Sequence, residues 1–115
     1  MYEPKQQGIG IASALCFLLT GGAGVAAAEG SAEVGHEKAV MCIACHGRDG
    51  LSRRPDVPHI AGQSGIYMSA QLRRFRSGER LHPEMNVIAM SLSDEDIDNL
   101  VAWYSSIQVE VKLPQ

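Results

Sequence analysis

Two thiols sit about one helical turn apart, with an imidazole directly behind the second, in the run Cys42-Ile43-Ala44-Cys45-His46. A disulfide between such close neighbours would close a very small loop and remove little chain entropy from the unfolded state. A redox-active Cys-x-x-Cys pair belongs after a strand in a βα setting, and no strand-like run precedes Cys42. A zinc site needs four ligands, usually from a second close pair. Cys42, Cys45, His59 and His82 can be grouped on paper but lack that paired spacing.

One chemistry uses all three groups at this spacing. Covalent haem attachment requires two sulfurs that reach two vinyl groups on one porphyrin edge, and an imidazole that meets the iron from the same side. Cys42 and Cys45 are therefore the expected thioether residues, and His46 the expected proximal iron ligand. The cofactor implied is one covalent haem c with its iron.

The start of the chain reads as an export leader. Met1 to Gly8 contains Lys5, Ile9 to Ala28 is almost wholly apolar or small, and Ala26-Ala27-Ala28 closes the stretch. That order is the pattern of a secretory signal, so residues 1–28 are expected to be cleaved and residues 29–115 to form one domain. The alternative is a retained anchor, since Ile9 to Ala28 is long enough to span a bilayer. Against it, Gly21, Gly22 and Gly24 weaken the helix, and Glu29-Gly30-Ser31 supplies no basic stop. Cys16 follows Leu15, where lipid attachment would call for a small residue, and is expected to leave with the leader. Glu3 and Lys5 cancel, so the formal charge stays at −3 without the leader. Nothing in that balance suggests nucleic acid.

Past the leader the spacing predicts helices and no strands. A first helix is expected from about Ser31 to Cys42. The following stretch, 47–65, is rich in Gly and Pro and reads as a loop. A second helix is expected over about Ile66 to Ser77, with Met68, Leu72 and Phe75 on one face and Gly78 as its stop. The last helix has the clearest start. Ser93 is the N-cap, Asp94, Glu95 and Asp96 suit the positive helix end, and Leu92 and Ile97 can staple it. Ile97, Leu100, Val101, Tyr104 and Ile107 then recur at helical spacing. The fold class is all-α.

With these features in place, the chain resembles the small bacterial class I cytochromes c, especially single domains of periplasmic dihaem cytochromes. The likeness runs from about Ala32 to Ser106. It is carried by Gly35 seven residues before Cys42, by Trp103 and Tyr104, by Pro58-His59-Ile60-Ala61-Gly62-Gln63, by Tyr67, Gln71-Leu72 and Phe75-Arg76, and by Leu92-Ser93-Asp94-Glu95-Asp96-Ile97. The resemblance implies a class I cytochrome c fold of three to four helices around one covalent haem. It also implies a close crossing of first and last helices at Gly35, and a hydrogen bond from His46 Nδ1–H to the Pro58 carbonyl.

A sixth ligand is expected from the stretch before the last helix, where Met85, Met90 and His82 are the candidates. Family spacing, seven residues before Leu92, implies Met85, with Pro83 restricting the loop ahead of it. Met90 is expected to pack in the core, and His82, like His36 and His59, to be a solvated histidine. The stretch from Gly78 to Met85 is short beside many relatives.

Ligation by His46 and Met85 would leave no open iron position, so no catalytic residue is expected. The protein is then a periplasmic carrier of single electrons. Its partners would be redox proteins: a dehydrogenase or upstream cytochrome as donor, a terminal oxidase or reductase as acceptor. Membrane attachment follows only if the leader is kept. Two other readings are a cytochrome subunit bound to a periplasmic dehydrogenase, and a haem enzyme or gas sensor with an open sixth position. Arg48, Arg53 and Arg54 are candidates for a positive docking rim, and Arg76 or Arg80 for a propionate contact.

Overall fold

The computed structural model describes residues 30–115. The expected leader, residues 1–28, lies outside them. Among the described residues there are five helical segments and no strand: α1 (Ala32–Lys38), α2 (Val40–His46), α3 (Gly65–Ser77), α4 (Pro83–Met90) and α5 (Asp94–Ser106). No described helix is long and apolar enough to cross a membrane.

Helices α1 and α2 are the single helix expected from the sequence, tightened at one step and carried four residues further. Ser31 starts it, its hydroxyl accepting from Val34 N at 3.3 Å. At Ala39 the carbonyl accepts from Cys42 N at 2.8 Å as well as from Ile43 N at 3.2 Å. The shorter i to i+3 bond is a local 3₁₀ step. Counted as one bent helix, α1 and α2 bring the total to four.

Helix α4 occupies a stretch expected to be loop. Pro83 takes the first helical position, where its fixed φ suits a helix and its missing N–H is not needed. Glu84 sits in the first turn, and the His82 ring accepts from Met85 N. Histidine is not among the strong N-cap residues, which is why the start is easy to miss.

The core gathers Ala39, Met68, Leu92, Ile97, Leu100 and Tyr104, with Cys42, Ile60 and Leu72 packed against it. Leu92 and Ile97 are both buried, as a staple requires. Ser93 and Asp96 close a capping box: Asp96 N donates to Ser93 Oγ at 3.0 Å, and Ser93 N to Asp96 Oδ2 at 2.9 Å. Met90 departs from expectation. It is 70 % exposed, while Ala89 beside it is fully buried. The helical register turns Ala89, not Met90, toward the neighbours of α4.

The frame is set where α1 crosses α5. A Cβ on Gly35 would stand 1.9 Å from the Asn99 carbonyl oxygen and 2.9 Å from Trp103 Cβ, so the backbones meet with no side chain between them. Asn99 is buried and its Oδ1 accepts from Ser31 N at 2.7 Å. Lys38 reaches Asp96 at 2.8 Å, and the His36 ring lies 4.3 Å from the Trp103 ring, centroid to centroid.

On the other side of α5, α3 is tied down by charge. Arg73 pairs with Asp94 and, at 2.8 Å, with Asp98. Arg76 pairs with Asp94 at 2.6 Å and donates to the Leu92 carbonyl at 3.1 Å. The acids at the start of α5 thus serve the helix terminus and two guanidinium groups together.

Gly35→Ala is expected to destabilise the protein by about 3 kcal/mol, the upper range for overpacking a close contact, read as a lower guanidinium midpoint of the haem-loaded protein. Arg76 and Arg73 hold the Asp94 carboxyl below the ordinary carboxylate range, and Lys38 does the same for Asp96. A depressed carboxylate stabilises above its unfolded pKa, and that stability is lost as pH falls through the folded value. Asp94→Asn is therefore expected to lower the denaturation midpoint near neutral pH and to make no difference well below pH ~3, checked by melts across that range.

Candidate functional site

The motif lies on α2, which ends at Gly47, whose N–H returns to the Ile43 carbonyl at 3.0 Å. The turn of helix between Cys42 and Cys45 sets their spacing, and His46 is the last helical residue. The loop that follows folds back over α2 through a few backbone bonds. Gly50 O accepts from Ile60 N at 2.8 Å and Ala61 N at 3.1 Å, pinching the loop at its neck. Ser52 Oγ donates to the Cys45 carbonyl at 3.0 Å, and Gly62 N to the Tyr104 carbonyl at 2.9 Å.

These anchors bring the Pro58 carbonyl oxygen to 2.9 Å from His46 Nδ1. A carbonyl can only accept, so Nδ1 carries the proton and Nε2 keeps its lone pair. The ring is buried, at 8 % exposure, and can turn little. An imidazole oriented in this way, with its tautomer fixed by the loop, presents Nε2 as the ring's donor atom.

The two thiols differ in surroundings. Cys42 packs against the core, and burial pushes its thiol above the ordinary cysteine range, with Cys45 adding a smaller push. Such burial keeps the sulfur as the neutral thiol. Cys45 faces the loop, with Arg54 Nη1 3.8 Å from its sulfur. The two cysteines are not joined to each other. Among the described residues no three His, Cys, Asp or Glu side chains converge on a metal position, so the four-ligand zinc grouping has no basis in the fold. Two sulfurs and a buried imidazole of fixed tautomer on one short helix fit a covalently held haem.

Tyr104 adds a feature that spacing alone does not reveal. It is buried at 2 % exposure, and among the described residues its hydroxyl has only the Cys42 sulfur beside it, a weak partner at most. Burial raises its pKa, and the neighbouring Cys42 sulfur adds to the effect.

The remaining candidates fall as follows. Met85 is half-buried in the first turn of α4. His82 is exposed at the N-cap of the same helix, with Nδ1 3.4 Å from Met85 N and 3.3 Å from Glu84 Oε2. His36 stacks on Trp103, and His59 is exposed. Arg53, Arg54, Pro58 and His59 border an open cleft of about 360 Å³. Of the three arginines after the motif, Arg54 is paired with Asp56 at 2.7 Å, which removes much of its charge from any rim. Arg76 is engaged by Asp94 and Leu92, and Arg80 by Gln71 Oε1 at 2.7 Å and the Phe75 ring face at 4.5 Å. Asn86, which carries no sequence signal, is bonded to three backbone groups around the start of α4.

A paired-thiol helix with an oriented imidazole, set in an all-helical frame, defines a covalent haem-binding domain. The cytochrome c family model matches residues 32–108, and the chain belongs to that family, whose cofactor is covalently bound haem c. It is 38 % identical over 95 residues to cytochrome c4 of Pseudomonas aeruginosa, covering 83 % of this chain and 47 % of that protein. It is 40 % identical over 80 residues to cytochrome c-554(548) of Halomonas halodenitrificans, covering 67 % of this chain and 96 % of that one. The reduced recombinant cytochrome c4 of Pseudomonas stutzeri superposes with a TM-score of 0.67 at 36 % identity, over 71 % of this chain and 48 % of that one. The chain thus spans about half the length of the cytochrome c4 relatives and nearly all of the Halomonas protein.

Tyr104→Phe is expected to shift stability by less than about 1 kcal/mol, since the Cys42 sulfur beside its hydroxyl is only a weak hydrogen-bond partner. Chemical denaturation of the two haem-loaded proteins side by side checks this.

Proposed function

We propose that this domain carries single electrons between redox proteins in the periplasm, reached through the leader at residues 1–28. Cys42 and Cys45 would form the two thioethers, and His46 Nε2 and the Met85 sulfur would hold the iron. When bound, the haem supplies an iron that passes between ferric and ferrous states, one electron at a time. The hydrogen bond from His46 Nδ1–H to Pro58 O is the observation that carries the reading. It orients the ring and leaves Nε2 as the donor.

The chain's own residues then set the potential and the access. A thioether on the second axial position favours the ferrous state relative to two nitrogen ligands. Met68, Leu72, Phe75, Ile97 and Leu100 keep the interior apolar, which disfavours the extra positive charge of ferric iron. With both axial positions taken by protein, no acid, base or nucleophile is required, and the domain acts as a carrier and not as an enzyme. Redox partners dock from outside. Exposed Arg48 and Arg53, which form no ion pair among the described residues, offer positive charge for encounter that salt screens.

The test is a haem-stained denaturing gel, an intact mass and a visible spectrum on protein matured in an exporting host. Covalent haem, loss of residues 1–28 and a sulfur-to-ferric-iron charge-transfer band are expected together. Colourless denatured protein with both thiols free overturns the reading. Cys42→Ala with Cys45→Ala is expected to lose the stain. Met85→Ala is expected to lose the charge-transfer band and to lower the potential by a sizeable part of the roughly 0.8 V span that axial ligation commands, measured by redox titration.

A further inference from the structure

Helices α3 and α4 are separated by a five-residue turn that runs from the C-cap Gly78 to the N-cap His82. Asn86 ties that turn together. Its Nδ2 donates to the Phe75 carbonyl at 2.6 Å and to the Arg80 carbonyl at 2.8 Å, and its Oδ1 accepts from His82 N at 2.7 Å. Its own N–H donates to the His82 carbonyl at 3.0 Å. Both donors and the acceptor of one carboxamide are thus engaged by backbone. Phe75 is buried and belongs to the last turn of α3. Asn86 therefore fixes the start of α4 to a rigid element, directly beside Met85 in sequence.

The same segment carries a second potential ligand. His82 lies three residues before Met85 and caps α4, with Nδ1 facing both Met85 N and Glu84 Oε2. A neutral ring that accepts from Met85 N through Nδ1 has its proton on Nε2, and a protonated ring has no lone pair at all. In either role the cap leaves His82 no nitrogen for iron. Asn86 makes three side-chain bonds across the turn that carries the cap, and an eight-residue helix has little stability of its own.

We propose that Asn86 is a positioning residue that decides which side chain of this segment ligates the iron. With its three bonds made, Met85 is presented and His82 is withheld in the helix cap. With them broken, the cap frays, and His82, released from Met85 N and with its proton on Nδ1, would offer Nε2 in competition with the Met85 sulfur. The inference rests on Met85 as the axial ligand.

The experiment compares wild type, Asn86→Ala, His82→Ala and the double variant Asn86→Ala/His82→Ala as haem-loaded proteins. Absorption, reduction potential, binding of added imidazole and guanidinium midpoint are read for each. In Asn86→Ala the sulfur charge-transfer band is expected to vanish, with low-spin iron and a lower potential. His82→Ala alone is expected to keep the band. The double variant is expected to bind added imidazole at least tenfold more tightly than Asn86→Ala. If Asn86→Ala lowers only the denaturation midpoint and keeps band and potential, the residue is merely structural and the proposal is overturned. High-spin iron in Asn86→Ala, unchanged by removing His82, overturns the assignment of His82. Should Asn86→Ala fail to mature, Asn86→Asp keeps the acceptor for His82 N, loses both donors, and is read in the same way. Wild-type protein without the band sinks the Met85 ligation itself, a failure distinct from both.

Discussion

With Gly35 seated against the Asn99 carbonyl, α1 and α5 approach at backbone distance, and the positions of the other helices are set from that contact. It is a constraint of exclusion, since any side chain at residue 35 would hold the helices apart. Because α2 continues α1 through a single tightened step at Ala39, the orientation of α1 on α5 also fixes where Cys42 and His46 stand. Tyr104, one turn beyond Leu100 on α5, then meets the Cys42 side of the motif, and its carbonyl receives Gly62 from the returning loop. The site is thus an outcome of the crossing. Residues more than fifty positions apart in the chain come together because one position has no Cβ.

The loop between α2 and α3 solves a different problem. It has almost no regular structure, yet it must deliver one carbonyl oxygen to one ring nitrogen. It does so by closing on itself at Gly50 and by anchoring to α2 at Ser52 and to α5 at Gly62. Backbone groups supply nearly all of this, so the orientation of His46 depends little on side-chain identity within the loop. A carbonyl can only accept, so the contact holds the proton of the neutral ring on Nδ1.

Much of the frame was legible in the sequence, and the reason is local chemistry. Helix α5 announces its start through Ser93, three acids and the Leu92–Ile97 staple, all within a few residues, and the structure has each in place. The stripe Met68, Leu72, Phe75 and the stop at Gly78 define α3 by the same logic. What escaped was decided by distant partners. Helix α4 reads as loop because its cap is a histidine and Pro83 suggests a restricted loop as readily as a first helical position. Met90 reads as a core residue from its place two residues before the Leu92 staple, but the register of α4 puts Ala89 inside instead. Arg73 and Arg76 sit off the apolar stripe of α3 and look like solvated charge. Only the packing of α3 on α5 reveals them as partners of Asp94 and Asp98. Within the motif, spacing alone named the sulfurs and the imidazole. The carboxamide of Asn86 was silent, since its partners are backbone carbonyls eleven and six residues away.

Trp103 is the only tryptophan in the chain, and it stands where α1 meets α5, with its Cβ against Gly35 and its ring against His36. The molecule therefore carries a built-in optical probe of the terminal-helix contact. Indole emission would respond to separation of those two helices and to proximity of the porphyrin quencher, whereas visible absorption would respond to what binds the iron. Followed together during unfolding, the two colours of signal would tell whether the crossing gives way before or after the axial bond, in unlabelled protein.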